Sequence, residues 1–446
     1  MHLNRIPRQR PDAAGPPRRW RWLAAASLAA CLTAACTSAA ATSGTAAATS
    51  AAATSAPASA ATVTVDCGAP KRCYSPQAYQ VAYGVALLLS RGIDGSGETV
   101  VMPELAQAPT SNGGSTDIRQ DLAAFDSKFG LPPARLQVVN TIAKSKTPYL
   151  AAGEEEVEDT EMVHAIAPGA ILDVVLIPAG VLSSNADMAA AITQMIRAGV
   201  ALHAAVISIS ASGGEHLRTR AEWAVMNAAL QQAREQHVTV VASSGDTGAI
   251  SDDGPPVQVS MPASDPLVLA VGGTTLDAAR PAGIYRGEKA WNDSANASGG
   301  GYSSLFPRPS YQDGLARAGA TRGVPDVAAS ADPATAMAIE YSDGHLRPAE
   351  GTSAATPLWA GVIALADQQA GQHLGFVNPA IYAIARGPAG HQAFHDVVTG
   401  GNSVLWHSAV IAGYHAGRGW DLVTGWGSPD AQYLVPLLAR TVRSGD

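Results

Sequence analysis

Short, nearly continuous apolar runs punctuate the chain at 99–102, 171–177, 206–209, 238–242 and 268–271. They lack the polar alternation of a half-exposed strand, so each is predicted as a strand buried on both faces. Longer stretches with helical spacing lie between and after them, at 115–129, 155–166, 185–198, 215–236 and 353–370. This alternation predicts an α/β fold in which one mainly parallel sheet carries helices on both faces. Residues 272–351 read as long loops. There is no internal repeat, and residues 67–438 read as one large domain whose chemistry is expected on loops beyond the strand ends.

The 446 residues are 47% apolar and 15% charged, which excludes a disordered chain and a small disulfide-stapled scaffold. The formal charge is -8, although six arginines and a single acid, Asp12, occupy the first 30 residues. An acidic body of this kind argues against nucleic acid as a partner, because phosphate must meet a basic surface.

The first 36 residues read as an export signal. Arg18, Arg19 and Arg21 precede an apolar run at 22–32 that is too short to span a membrane. Cys31 and Cys36 both stand where a lipoprotein signal places its modified cysteine, so a lipid anchor and an ordinary cleaved signal are both open. Residues 37–62 contain only Ala, Thr, Ser, Gly and Pro, and 37–66 is read as a tether. Cys67 and Cys73 are the only cysteines of the folded part, and in an exported protein they most simply form a local disulfide.

Three segments carry candidate chemistry. Gly351-Thr352-Ser353-Ala354-Ala355-Thr356-Pro357 precedes an apolar helix and sets Ser353 beside free N–H groups at the positive end of the helix dipole. Plain helix capping by Ser353 or Thr352 is the competing reading. No histidine stands in a recognisable base position. Instead Glu155 and Asp159 are i, i+4 neighbours on a helix whose Met162 and Ile166 continue the same face inward. Two close carboxylates cannot easily both ionise, so the pair can hold and release a proton. Glu154, Glu156 and Glu158 are read as a solvated acidic first turn, and His164 as packed or solvated. The third segment is Ser243-Ser244-Gly245-Asp246-Thr247-Gly248, a strand end with a glycine-flanked aspartate whose competing role is to cap its own turn. No zinc motif occurs in the chain.

In this order the segments resemble the sedolisin or kumamolisin family of serine-carboxyl peptidases, subtilisin-like in fold but with a glutamate base. Cys73-Tyr74-Ser75-Pro76, Ala82-Tyr83-Gly84, 121–126, 164–170, Pro262-Ala263-Ser264, 270–274, 298–301 and 351–357 carry the resemblance over nearly the whole folded region. It implies Ser353 as nucleophile, Glu155 as base, Asp159 as modulator of Glu155 and Asp246 as oxyanion donor. The activity implied is endopeptidase cleavage of protein or peptide substrates at acid pH, outside the cell or anchored to its surface, through an acyl-enzyme. It further implies a Ca2+ ion held by Asp396, Asp421 and the carbonyls of Val397, Gly417 and Gly419. The domain reading is then 1–36 signal, 37–66 tether and 67–446 a single subtilisin-like peptidase domain with a C-terminal calcium site. The alternative is an exported, inactive peptide-binding protein on the same fold. Three positions depart from the family pattern: Ala211 in place of an aromatic residue, Glu158 in place of an apolar residue, and Glu350 in place of glycine.

Overall fold

A computed structural model describes residues 65, 67, 73–106, 116–140, 151–178, 185–216, 219–251, 253–340 and 344–443. The signal and nearly all of the tether read from the sequence lie outside these residues. The described part begins at a disulfide between Cys67 and Cys73.

Eight strands form the main sheet: β1 (Thr99–Ala106), β2 (Arg135–Asn140), β3 (Ile171–Pro178), β4 (Val206–Ile209), β5 (Thr239–Ser243), β6 (Leu269–Ala279), β7 (Ile284–Ala290) and β8 (Val327–Ser330). Their order is β7-β6-β5-β4-β1-β3-β2, with β8 also paired to β6. Only β7 runs antiparallel, joined to β6 as a hairpin; the other pairings are parallel.

Among the described residues ten helices accompany the sheet: α1 (Pro76–Ala82), α2 (Val85–Leu89), α3 (Ile118–Phe129), α4 (Glu154–Ile166), α5 (Asn185–Ala201), α6 (Arg220–Glu235), α7 (Gly351–Ala370), α8 (Asn378–Arg386), α9 (Gly390–Ala393) and α10 (Ala431–Arg443). Successive strand side chains point to opposite faces, so Val100, Met102 and Leu172 enter one core with α4, α7 and α10. Val101, Val175, Ile207 and Val240 enter the other, with α5 and α6. Two buried faces require the unbroken apolar runs seen in the sequence.

Two expectations change. Residues 272–351 are not loops throughout: they hold most of β6, all of β7 and β8, and the short pairs Gly301–Pro307 with Thr321–Val324 and Ala338–Glu340 with Leu346–Pro348. Side chains of β7 are largely half-buried or exposed, so its composition is polar and gives no apolar run. Helix α6 starts at Arg220 rather than 215, because Thr219 and Glu222 close a reciprocal capping box there. Glu215 lies outside the helix, buried, and its carboxylate accepts from Ser304 N at 2.6 Å and from the hydroxyls of Ser303 and Ser304.

Candidate active site

Helix α7 begins where the chain leaves the sheet. From Gly351 through Asp367 every residue is buried except Ser353, the third residue of the helix, which is half-buried. Gly351 has φ +81°, and a Cβ there would stand 2.6 Å from Asp246 Oδ2, so the tight entry requires glycine. Pro357 sits four residues after Ser353 and has no N–H for the Ser353 carbonyl. That carbonyl lies 3.5 Å from the Ser210 hydroxyl, which follows the end of β4.

Helix α4 packs along α7 so closely that a Cβ on Gly361 would stand 2.8 Å from Ile166 Cβ. At its first turn the Glu155 carboxyl faces the Ser353 hydroxyl, which favours its ionised form. Burial, and then the charge of Asp159, hold the Glu155 carboxyl well above the usual carboxylate range. Asp159 is fully buried one turn on, and its two oxygens lie 3.0 and 2.9 Å from the Ser210 hydroxyl. Glu104, on β1, also meets Asp159, and burial, then the charge of Asp159, hold its carboxyl well above the usual range. Burial pushes Asp159 itself up to about 7 despite these two contacts.

The sequence reading did not select Glu104. Its signal was present, as the one acid in the apolar run Val100-Val101-Met102-Pro103-Glu104-Leu105, near the carboxyl end of a central parallel strand.

Asp246 follows β5 by three residues. Its Oδ1 accepts from Thr352 N at 2.7 Å and from Thr352 Oγ1 at 2.8 Å. Gly245 N donates to the same hydroxyl oxygen at 3.2 Å, which leaves the single hydroxyl hydrogen directed at Asp246. Oδ1 is thereby saturated as an acceptor, so a proton on Asp246 resides on Oδ2. Burial raises this carboxyl above its usual range, and the two Thr352 hydrogen bonds moderate the rise. The glycine run at 298–301 supports the turn from behind: Gly299 N donates to Gly245 O at 2.7 Å, and a Cβ on Gly299 would overlap the Ser244 carbonyl.

The acidic first turn of α4 is not solvated as read. Glu156 and Glu158 are buried, because α4 lies beside α7 on the sheet and is packed against α1 and α3 as well. Burial pushes Glu156 up to about 7 and holds Glu158 well above the carboxylate range. The Glu154 side chain lies outside the described residues. His164, on the same helix, is packed rather than solvated, its Nε2 2.9 Å from both Asp126 Oδ1 and the Pro132 carbonyl. Near it Glu161 Oε2 accepts from Glu340 N at 2.8 Å, and Glu340 pairs with Lys128 at 2.5 Å.

The five residues read as calcium ligands lie around one glycine turn. Gly419 N donates to Asp396 Oδ2 at 3.0 Å and Gly417 N to Asp421 Oδ2 at 2.8 Å, so both carboxylates reach the same segment. Asp421 Oδ1 accepts from Val423 N and Thr424 N, and burial pushes its carboxyl up to about 6. Among the described residues no three His, Cys, Asp or Glu side chains cluster to hold a metal. The groups read as ligands, two carboxylates and backbone carbonyls, are all oxygen donors, the chemistry a hard cation takes.

A helix-borne serine facing a glutamate, on a mainly parallel sheet covered on both faces, is the arrangement of a serine-carboxyl site on a subtilisin-like fold. The profile of the subtilase family matches residues 149–380. Kumamolisin from a Bacillus species is 34% identical over 388 aligned residues, covering 83% of this chain and 64% of that protein. Sedolisin from a Pseudomonas species is 33% identical over 354, covering 74% of this chain and 57% of that protein. The structure of Pseudomonas sedolisin, a serine-carboxyl proteinase complexed with two molecules of pseudo-iodotyrostatin, matches with a TM-score of 0.67 and 28% identity, over 84% of this chain and 99% of that one. The chain belongs to the sedolisin and kumamolisin family of subtilase-fold serine-carboxyl peptidases. It spans less than two thirds of the length of kumamolisin and of sedolisin.

Proposed function

We propose that this chain is an exported peptidase that cleaves internal peptide bonds of proteins or peptides in acid, through an acyl-enzyme on Ser353. The observation that carries the reading is the placement of Glu155 and Asp159 at Ser353, with the Ser210 hydroxyl between Asp159 and the Ser353 carbonyl. Ser353 Oγ attacks the substrate carbonyl carbon while Glu155 takes its proton. The carbonyl oxygen becomes an oxyanion and receives a hydrogen bond from Asp246 Oδ2–H, the oxygen left free by Thr352. Glu155 then gives the proton to the departing amine as the C–N bond breaks, and water releases the acyl group by the reverse sequence.

Two protonation demands set the pH range. Glu155 must be ionised to accept a proton, and Asp246 must be protonated to donate. Asp159 and Glu104 share protons with Glu155 and hold the base ready without a second full charge beside it. The expected activity peaks in acid, roughly pH 3 to 5 for carboxyls of ordinary strength, and the raised Glu155 carboxyl moves the acid limb upward. Calcium is part of the proposal: Asp396, Asp421 and the carbonyls of Val397, Gly417 and Gly419 would hold it, and it would brace the glycine turn between α9 and α10 rather than take part in bond cleavage. Export rests on the arginine-led apolar segment at 18–32, and a lipid anchor on Cys31 or Cys36 is its membrane-bound variant.

The test is a pH-resolved digest of an unfolded protein by the purified chain and its variants. Ser353→Ala and Glu155→Gln are each expected to lower kcat at least about a thousandfold, as loss of a nucleophile or its base does in serine enzymes. Parental activity in Ser353→Ala, or an optimum near pH 8 abolished by removing a histidine, would overturn the carboxyl mechanism.

A further inference from the structure

Two of the positions at which this chain departs from the family pattern, Glu158 and Glu350, meet at one hydrogen bond. Glu158 lies on α4 between Glu155 and Asp159 and is buried. Its Oε2 accepts from the Glu350 N–H at 3.0 Å. Glu350 is the residue that precedes α7, extended at φ -141° and ψ 161°, three residues before Ser353.

The first N–H groups around the start of α7 therefore have three separate anchors. Glu350 N binds Glu158 on α4, Gly351 N binds the Ala331 carbonyl after β8, and Thr352 N binds Asp246 after β5. Of the three, only Glu158 ties the serine helix to the helix that carries the base. Further along, as at Ile166 and Gly361, the two helices meet through apolar packing, which fixes their separation but lets them slide. A directional hydrogen bond beside the Glu155–Ser353 pair sets the register of that contact.

We propose that Glu158 is a positioning residue for the serine–glutamate pair, its carboxyl bracing the start of α7 against the first turn of α4. This rests on the reading of Ser353 as nucleophile and Glu155 as base. The charged groups that face Glu158 are Glu155 and Asp159 from its own helix and Glu350 from the start of α7, all acidic. The brace is therefore suited to the protonated state, in which Oε2 is the accepting carbonyl oxygen. Ionisation of Glu158 would compete with ionisation of Glu155, because a charge on either disfavours a charge on the other.

Two substitutions in the full chain separate geometry from charge. Glu158→Gln keeps a carbonyl acceptor for Glu350 N–H and cannot ionise; Glu158→Leu removes the acceptor at similar volume. Glu158→Leu is expected to lower kcat roughly tenfold to a hundredfold with KM changed by less than about twofold, since misplacing reacting groups by a fraction of an ångström has effects of that order. Glu158→Gln is expected to recover most of that loss and to leave the acid limb of the kcat profile in place, because a protonated Glu158 and an amide are both neutral beside Glu155.

Hydrogen exchange on the segment containing Glu350, measured in a Ser353→Ala background, reads the brace without hydrolysis. It is expected to be fast in Glu158→Leu and slow in Glu158→Gln and the parent. Parental kcat and slow exchange in the leucine variant would overturn the proposal, as would a glutamine variant no better than leucine. Absence of hydrolysis in the parent chain would count against the proposed peptidase function instead, while the exchange result still decides whether the brace exists.

Discussion

Thr352→Val removes one hydroxyl at the hinge of the oxyanion arrangement and adds no volume. Two hydrogen bonds go with it: the 2.8 Å donation to Asp246 Oδ1 and the 3.2 Å bond accepted from Gly245 N. The first contributes about 1 kcal/mol, and the second leaves a buried N–H unpaired at about 1–3 kcal/mol. A loss of stability of about 2–4 kcal/mol is therefore expected, read from the denaturant midpoint at unchanged m. The catalytic effect is separable. With only Thr352 N left on Oδ1, the Asp246 proton can sit on either oxygen, and the donor no longer points reliably at the oxyanion.

Complete loss of an oxyanion donor costs on the order of 10²–10³ in kcat, so partial disordering should cost about tenfold to a hundredfold. The pH profile supplies the discriminating sign. Both Thr352 hydrogen bonds hold the Asp246 carboxyl down against the rise caused by burial, so removing one raises it further. Asp246 acts protonated, and its variant should therefore keep its proton to higher pH. The expected signature is a lower maximum together with an alkaline limb moved upward, measured as kcat on a chromogenic peptide between pH 3 and 8, roughly the span over which these carboxyls titrate. A limb that moves downward, or a kcat within twofold of the parent, would refute the assignment of Asp246 as the protonated donor.

Stability should fall as pH rises. Glu161 is held well above the carboxylate range by burial and then by Asp121 and Glu340, so it contributes no penalty below its unfolded value near 4 and a growing one as pH climbs toward its folded value. Each unit of that displacement is worth about 1.4 kcal/mol once pH exceeds both values. Glu161→Gln in the Ser353→Ala background should match the parent melting temperature at pH 3.5 or so and exceed it at about pH 7; equal curves at both would remove Glu161 from the account. For calcium, chelation should lower the melting temperature of the parent and added Ca2+ restore it, while Asp421→Ala should melt lower and not respond, since an ion bound only by the folded state stabilises by mass action. A parent chain indifferent to stringent chelation, with no metal by elemental analysis, would count against that site.

The sequence by itself determined the layers and the cast of the site. Strands buried on both faces need apolar runs, and 171–177 and 206–209 could not serve as anything else in a domain of this size. The spacing of Glu155 from Asp159 and the glycine before Thr352-Ser353 were likewise legible, because helical period and a left-handed backbone are local properties. Segments with half-exposed side chains were not: β7 is an edge strand whose Ile284-Tyr285-Arg286-Gly287 has no apolar run to betray it.

Only the tertiary structure decided which acids meet and in what state. Glu104 is distant in sequence from Asp159, and β1 brings it to that carboxylate through an alignment of strands that no local pattern encodes. Glu156 and Glu158 look in sequence like an exposed acidic turn, since charged side chains normally face water. Packing α4 against the sheet, α7, α1 and α3 buries them, and the cost of burying charge raises these carboxyls above their usual range. Residue type was written in the chain; burial, and hence protonation, came from the packing around it.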